Sequence, residues 1–245
     1  MVTAMIFAGG VGARMNSTKI PKQFLEVGGK PIIVRTLENF QNHSEVDFIV
    51  IACLHDWIEK LEELITKYRL TKVRAVVKGG ETGYQSIHNG LLEVEKNSKP
   101  EDIVLICDGV RPLVSKKLIT NCIKLAKENE TAVPVTPSID SVLVSVDAEN
   151  CKESMPRGQM YITQAPQGYT IRKIMSAHKQ VEEKSMPHPV SSSELLIDLG
   201  EEIKIFIGDR DNIKVTTPED LRFMRAYFYY RNFKSFATEE FEYGI

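Results

Sequence analysis

Short continuous apolar runs alternate with helix-length amphipathic segments through the first half of the chain, and this alternation constrains the fold more than any other feature. Ala4–Phe7, Phe48–Ala52, Lys72–Val77, Ile103–Cys107 and Ala132–Thr136 read as strands. Their unbroken apolar character suits a parallel sheet covered on both faces, because a strand with one wet face alternates apolar and polar residues instead. Between them, Ile32–Phe40, Asp56–Tyr68, Tyr84–Glu95 and Lys116–Glu128 carry apolar residues at helical spacing. The order predicts an α/β fold: a Rossmann-like, doubly wound, mostly parallel sheet.

The pattern changes after Val135. Ser138–Gln164 holds alternating stretches, SVLVSV and MYITQ, turn residues at Asp147–Asn150 and Pro156–Gly158, and no good helix, so it reads as an extended β arm. Helices are expected at Ile171–Glu183 and Glu194–Leu199, a strand at Lys204–Ile207, and a last helix opened by Thr217-Pro218-Glu219-Asp220. Proline in the first turn and acidic residues beside it suit a helix N-terminus. With no internal repeat or low-complexity linker, the expectation is one domain, 1–245, with an inserted arm at about 138–164 and a short aromatic, acidic tail at about 232–245.

Composition narrows the function. Hydrophobic residues make up 42% and charged residues 26% of 245, ordinary for a soluble globular chain. The longest apolar runs fall far short of the ~20 residues that cross a bilayer, so no membrane partner is expected. The N-terminus shows no export signal, which makes the cytoplasm the expected location. Cys53, Cys107, Cys122 and Cys151 form no CxxC pair, against a zinc site or disulfide framework. A net charge of −2 gives no footprint for nucleic acid.

Chemistry first shows in AGGVGARM, Ala8 to Met15. A dinucleotide fingerprint needs a third glycine where Met15 stands, and a Walker A loop needs Gly-Lys followed by Ser or Thr, which is missing. What remains is a strand end followed by small residues whose N–H groups can approach an anion, with Arg14 and Lys22 placed to neutralise phosphate and Pro21 stiffening the approach. A plain glycine bend is the alternative. Further on, Asp108 follows the strand Ile103–Cys107, where open α/β sheets place ligand-binding groups, and a carboxylate there can hold Mg²⁺ shared with substrate phosphates. The histidines His43, His55, His88, His178 and His188 show no metal spacing, and Ser191-Ser192-Ser193 lacks a nucleophile elbow.

Five stretches recur in a familiar order: AGGVGARM with PKQFLEVGGKPI; Lys78-Gly79-Gly80-Glu81 with Ser86; Cys107-Asp108-Gly109-Val110-Arg111-Pro112; Arg157 followed by Gln164-Ala165-Pro166-Gln167; and Asp211-Asn212-Ile213-Lys214-Val215-Thr216. Over nearly the whole chain this resembles the cytidylyltransferase family that includes 2-C-methyl-D-erythritol 4-phosphate cytidylyltransferase and ribitol-5-phosphate cytidylyltransferase. The resemblance implies a GT-A-like nucleotidyltransferase fold, CTP and a small alcohol phosphate as substrates, and Mg²⁺ at Asp108. It implies catalytic roles for Arg14, Lys22 and Lys214. Ala8, Gly9, Gly10, Gly12, Gly80, Glu81, Ser86 and Asp108 would contact the nucleotide. Arg111, Asp140, Ser141, Arg157 and Thr216 would contact the acceptor, Arg157 from the arm of a neighbouring subunit, so that a homodimer follows.

The acceptor is read from departures. Glu81-Thr82-Gly83-Tyr84-Gln85 stands where the family often has an arginine before the serine, and Val190-Ser191-Ser192-Ser193 stands where it has an acidic pair after a threonine. PKQFLEVGGKPI, the HDWIEKLEELITKY segment and Tyr161 are nearer to the ribitol-phosphate enzymes. A linear polyol phosphate is therefore the expected acceptor, giving a CDP-alditol. Methylerythritol phosphate, a catalytically silent homologue, and a uridylyl- or guanylyltransferase are the alternatives.

Overall fold

The apolar runs assemble into a single eight-stranded sheet whose inner strands are buried on both sides. In this computed structural model the described residues are 1–10 and 20–234. Gly12, Arg14 and the tail beyond 234 lie outside them. Val2–Ala8 (β1) pairs in parallel with Phe48–Cys53 (β4) on one side and Ile103–Asp108 (β6) on the other, and Val73–Lys78 (β5) extends the sheet beyond β4. Thr131–Pro137 (β7) and Ile205–Ile207 (β12) are parallel to each other. A small hairpin, Glu26–Val27 (β2) with Lys30–Pro31 (β3), precedes the first helix.

Alternate side chains of each strand go to opposite faces, and the two cores show it. Ala4, Ile6, Ile49, Ile51, Leu105 and Cys107 pack beneath Ile32–Gln41 (α1), Ile58–Lys67 (α2) and Lys116–Asn129 (α4). Met5, Val50, Ala52, Val104 and Ile106 pack beneath Gly83–Glu95 (α3), Ile171–Glu183 (α5) and Ser192–Asp198 (α6). Helices on both faces explain why the strands carry no polar alternation. A third, smaller cluster joins Pro218–Lys234 (α7) to the β2–β3 hairpin and Val110.

The expected elements recur within a residue or two, and the differences are informative. Gln167–Thr170 (β11), of which only Gln167 belongs to an expected motif, is a strand running antiparallel to both β6 and β7. Its QGYT sequence has no apolar run; burial of Gly168 against Cys122 and Ala126 fixes it instead. Asn212–Thr216, named in sequence only as part of a motif, has no strand assignment, and Val215 N–H reaches Val110 C=O at 3.0 Å. The 138–164 stretch holds Val142–Val144 (β8) paired with Glu153–Met155 (β9), then Tyr161–Thr163 (β10) on β7. Asn232–Lys234, placed in the tail by sequence, close α7.

Candidate active site

The chain runs β1 to β4 to β5 in one direction and then returns to place β6 on the other flank of β1. Such a reversal opens a crevice at the carboxyl ends of the two strands, where open α/β sheets bind ligands. One lip is the β1 exit, Ala8–Gly10; the other is Asp108, the last residue of β6.

Asp108 and Arg111 are 6% and 7% exposed. Arg111 Nε donates to Asp108 Oδ2 at 2.7 Å, and its Nη1 donates to the Asn212 carbonyl at 2.9 Å. Lys214 Nζ sits 2.6 Å from Asp108 Oδ1. Both carboxylate oxygens are thus held by cations. Burial pushes the Asp108 carboxyl up, but the Arg111 and Lys214 charges outweigh it and hold the group below the usual carboxylate range. Lys214 is far from Asp108 in sequence; the Val215–Val110 backbone bond brings it there. The three side chains line a cavity of about 600 Å³, whose wall also includes Phe7, Gln164, Gln167 and Ser191–Glu194.

On the glycine lip, Gln23 is 1% exposed, and its Nε2 donates to the Ala8 carbonyl at 2.7 Å and more weakly to that of Gly10 at 3.4 Å. Sequence reasoning passed over Gln23, whose place beside Lys22 was its one signal. Lys22 opens a short 3₁₀ turn, Lys22–Phe24, and is half-buried. Gly9 has no room for a side chain, since a Cβ would lie 2.5 Å from Ser86 Oγ. Ser86 Oγ in turn accepts from Gly80 N–H at 3.0 Å and donates to the Thr82 carbonyl at 2.9 Å. Ala8, Gly9, Gly80 and Ser86 therefore meet across the β1 and β5 exits. Glu81 is exposed, its N–H bonded to Gln85. Gln85, the departure from the family's arginine, completes a capping box with Thr82 at the start of α3. The T-x-x-Q spacing is a legible signal for it.

Other expected residues are not brought to this cavity. Asp140, Ser141 and Arg157 are exposed in the 138–164 stretch, Arg157 Nη1 lying 3.5 Å from the Ile139 carbonyl. Thr216 lies outside the lining as well; its N–H donates to Asp220 Oδ2 at 2.8 Å, helping to open α7. Among the described residues no group of three His, Cys, Asp or Glu side chains can hold a metal. A metal held by protein alone does not fit, whereas Mg²⁺ commonly takes one or two carboxylates and completes its shell from phosphate and water. Asp108 suits that second arrangement.

The profile of the IspD family, 2-C-methyl-D-erythritol 4-phosphate cytidylyltransferase, matches residues 2–231. The chain belongs to the IspD family. Among curated relatives of this IspD-family chain, a ribitol-5-phosphate cytidylyltransferase of Streptococcus agalactiae serotype III is 41% identical over 92% of the chain and 95% of the relative. One from Vibrio parahaemolyticus is 36% identical over 92% and 95%. A 4-diphosphocytidyl-2C-methyl-D-erythritol synthase crystal structure from Anaerococcus prevotii superposes with a TM-score of 0.78 at 28% identity, covering 93% of this chain and 96% of that one. The mostly parallel α/β sheet is thus the nucleotidyltransferase fold of the IspD family, and the chain is a cytidylyltransferase by family.

Proposed function

We propose that the protein transfers CMP from CTP to a polyol phosphate such as ribitol 5-phosphate, giving a CDP-alditol and pyrophosphate. The observation that carries this reading is the Asp108 carboxylate held between Arg111 and Lys214 at the switch-point crevice, beside the glycine turn. CTP lies over Ala8–Gly10 with its base near Gly80, Glu81 and Ser86. The acceptor phosphate, largely dianionic at neutral pH because its second pKa is ~6, attacks the α-phosphorus in line as pyrophosphate leaves. No general base is needed, so the residues' work is positioning and charge stabilisation. Lys22 and Arg14 offset charge on the triphosphate, Lys214 holds the α-phosphate, and Arg111 keeps Asp108 ionised. Asp108 would hold Mg²⁺, which when bound supplies further charge neutralisation on the phosphates.

The acceptor assignment draws on the relatives named for ribitol 5-phosphate, which are more similar in sequence than the structural neighbours named for methylerythritol phosphate. The homodimer draws on the β8–β9–β10 region: Leu143, Met155 and Ile162 are 63%, 41% and 58% exposed, an apolar surface suited to burial against a second copy. Arg157 from one copy would then meet the acceptor phosphate of the other, and Asp140, Ser141 and Thr216 would complete that subsite. No helix among the described residues is long and apolar enough to cross a membrane. We place the enzyme in the cytoplasm.

A pyrophosphate-release assay with CTP, UTP and GTP against a panel of polyol phosphates tests the reading. Turnover with CTP and ribitol 5-phosphate is expected. Preference for methylerythritol phosphate would reassign the acceptor, preference for UTP or GTP the donor, and CTP binding without turnover on any acceptor would leave a silent homologue.

A further inference from the structure

Where β1 leaves the sheet, its successive carbonyls point in opposite directions. That of Phe7 accepts from the Gly109 N–H at 2.9 Å, on the β6 side. That of Ala8 accepts from Gln23 Nε2 at 2.7 Å, and the Gly10 carbonyl lies 3.4 Å from the same nitrogen. A side-chain amide carries two donors on one nitrogen, so a single residue reaches both carbonyls. Gln23 and Ala8 are both buried, which keeps water from competing for the shorter bond. The Ala8–Gly9 peptide is trans, Ala165–Pro166 being the cis bond among the described residues. A trans peptide sets its C=O and its N–H on opposite edges of one plane. With the Ala8 carbonyl anchored on Gln23, the Gly9 N–H is therefore turned back to the β6 side of the crevice, where no acceptor among the described residues takes it.

We propose that Gln23 is a positioning residue for the nucleotide: it aims the Gly9 N–H at an oxygen of CTP and holds the Ala8 and Gly10 carbonyls away from it. The inference rests on the CTP reading above. Ribose hydroxyls and phosphates both offer acceptor lone pairs, and the N–H suits either. A carbonyl turned into the crevice would instead set its own lone pairs against those of a polyanion. Gln23 thus acts on the ligand without touching it, and its effect depends on its two donors rather than on its bulk. Leucine at this position would leave the buried Ala8 carbonyl without a donor; glutamate, of nearly the same size as glutamine, would press a carboxylate against two carbonyls.

Calorimetric titration of the full-length enzyme with CTP, in the absence of acceptor, tests this together with steady-state kinetics. Gln23→Leu should weaken CTP binding on the order of tenfold, roughly the effect of one buried hydrogen bond, with KM for ribitol 5-phosphate within about twofold. Gln23→Glu should weaken CTP further. CMP locates the oxygen: an equal loss for CMP and CTP places it on the CMP moiety, and a loss for CTP alone places it on the two outer phosphates. A second measurement needs no variant. Ala8-Gly9 is the one Ala-Gly pair in the sequence, so enzyme isotopically labelled at alanine carbonyl carbons and glycine nitrogens gives a single correlated magnetic-resonance signal. CTP should move the amide proton of that signal downfield. Unchanged CTP affinity in both variants, a parallel rise in the acceptor KM, or a Gly9 signal that ignores saturating CTP would overturn the inference while leaving the function standing. A wild-type enzyme that does not bind CTP would instead bring down the functional reading, and this inference with it.

Discussion

The Asp108–Arg111–Lys214 cluster and the aromatic cluster around His178 bury titratable groups in opposite ways. In the first, charge meets charge, and the carboxyl stays ionised despite burial. In the second, Tyr84 stacks on His178 and His188 with ring centroids 4.7 and 4.4 Å apart, and His88 Nδ1 lies 3.3 Å from His178 Nδ1. Burial first, then the neighbouring His88 and His188, push the His178 imidazole down to about 3, so it is neutral when folded. His178 Nε2 is buried without a partner. An orphaned lone pair is more readily tolerated than an orphaned N–H, which places the proton on Nδ1, donating to His88. His88 Nε2–H then faces Glu182 Oε1 at 3.2 Å. The charged cluster lines the cavity at the β6 exit, whereas the ring cluster ties α3, α5 and the loop before Ser191 together. Opposite pairing lets a buried group keep its charge; burial without it makes the group give its charge up.

The difference can be broken most forcefully at Asp108. Asp108→Ala leaves the Arg111 guanidinium buried beside no carboxylate, and should cost about 3–5 kcal/mol of stability in denaturant melts, besides activity. Lys214→Ala should separate the two effects. Its half-exposed side chain predicts a stability change within about 1 kcal/mol, while turnover falls roughly a hundredfold or more in the pyrophosphate assay. A destabilisation as large as that of Asp108→Ala would mean the lysine is structural.

Acid should then part the two regions by pH. An unfolded histidine takes up a proton near its ordinary value of 6.5, which folded His178 refuses until about 3. Its contribution is therefore complete above 6.5 and drains away as pH falls, reaching roughly 2 kcal/mol lost by pH 5. Asp108 has the lowered value of a paired carboxyl, so its contribution holds above the ordinary carboxylate range near 3.8 and fails only below it. His178→Phe keeps the stacking and removes the titration; its stability between pH 7 and 5 should be flatter than wild type, and an identical slope would remove His178 from the account. The smallest expected effect is Tyr84→Phe, which removes a 3.4 Å hydrogen bond to the His178 carbonyl and should cost no more than about 1 kcal/mol in the same melts.

Much of this is legible in the sequence alone. The β1, β4, β6 and β7 runs announce themselves because burial on both faces demands unbroken apolar residues, and Asp108 and Lys214 stand out through ordered motifs. β11 did not, since a glycine and polar residues carry it and neighbouring strands hold it in place. Gln23 and Tyr169 were silent for a related reason: a buried amide or phenol is an ordinary residue until its partner is known. Gln85 is legible as a cap through its T-x-x-Q spacing with Thr82.

Strand and helix positions, the order in which they alternate, and the residue types available for phosphate chemistry can be read from the chain directly, because periodicity and side-chain chemistry are local properties. Folding is what rests Lys214 on Asp108, closes Gly9 over Ser86, and links Tyr169 to Ser191 through two intermediates. Those pairings depend on which strands become neighbours and on the few ångströms over which charges and hydrogen bonds act, and distance along the chain carries neither.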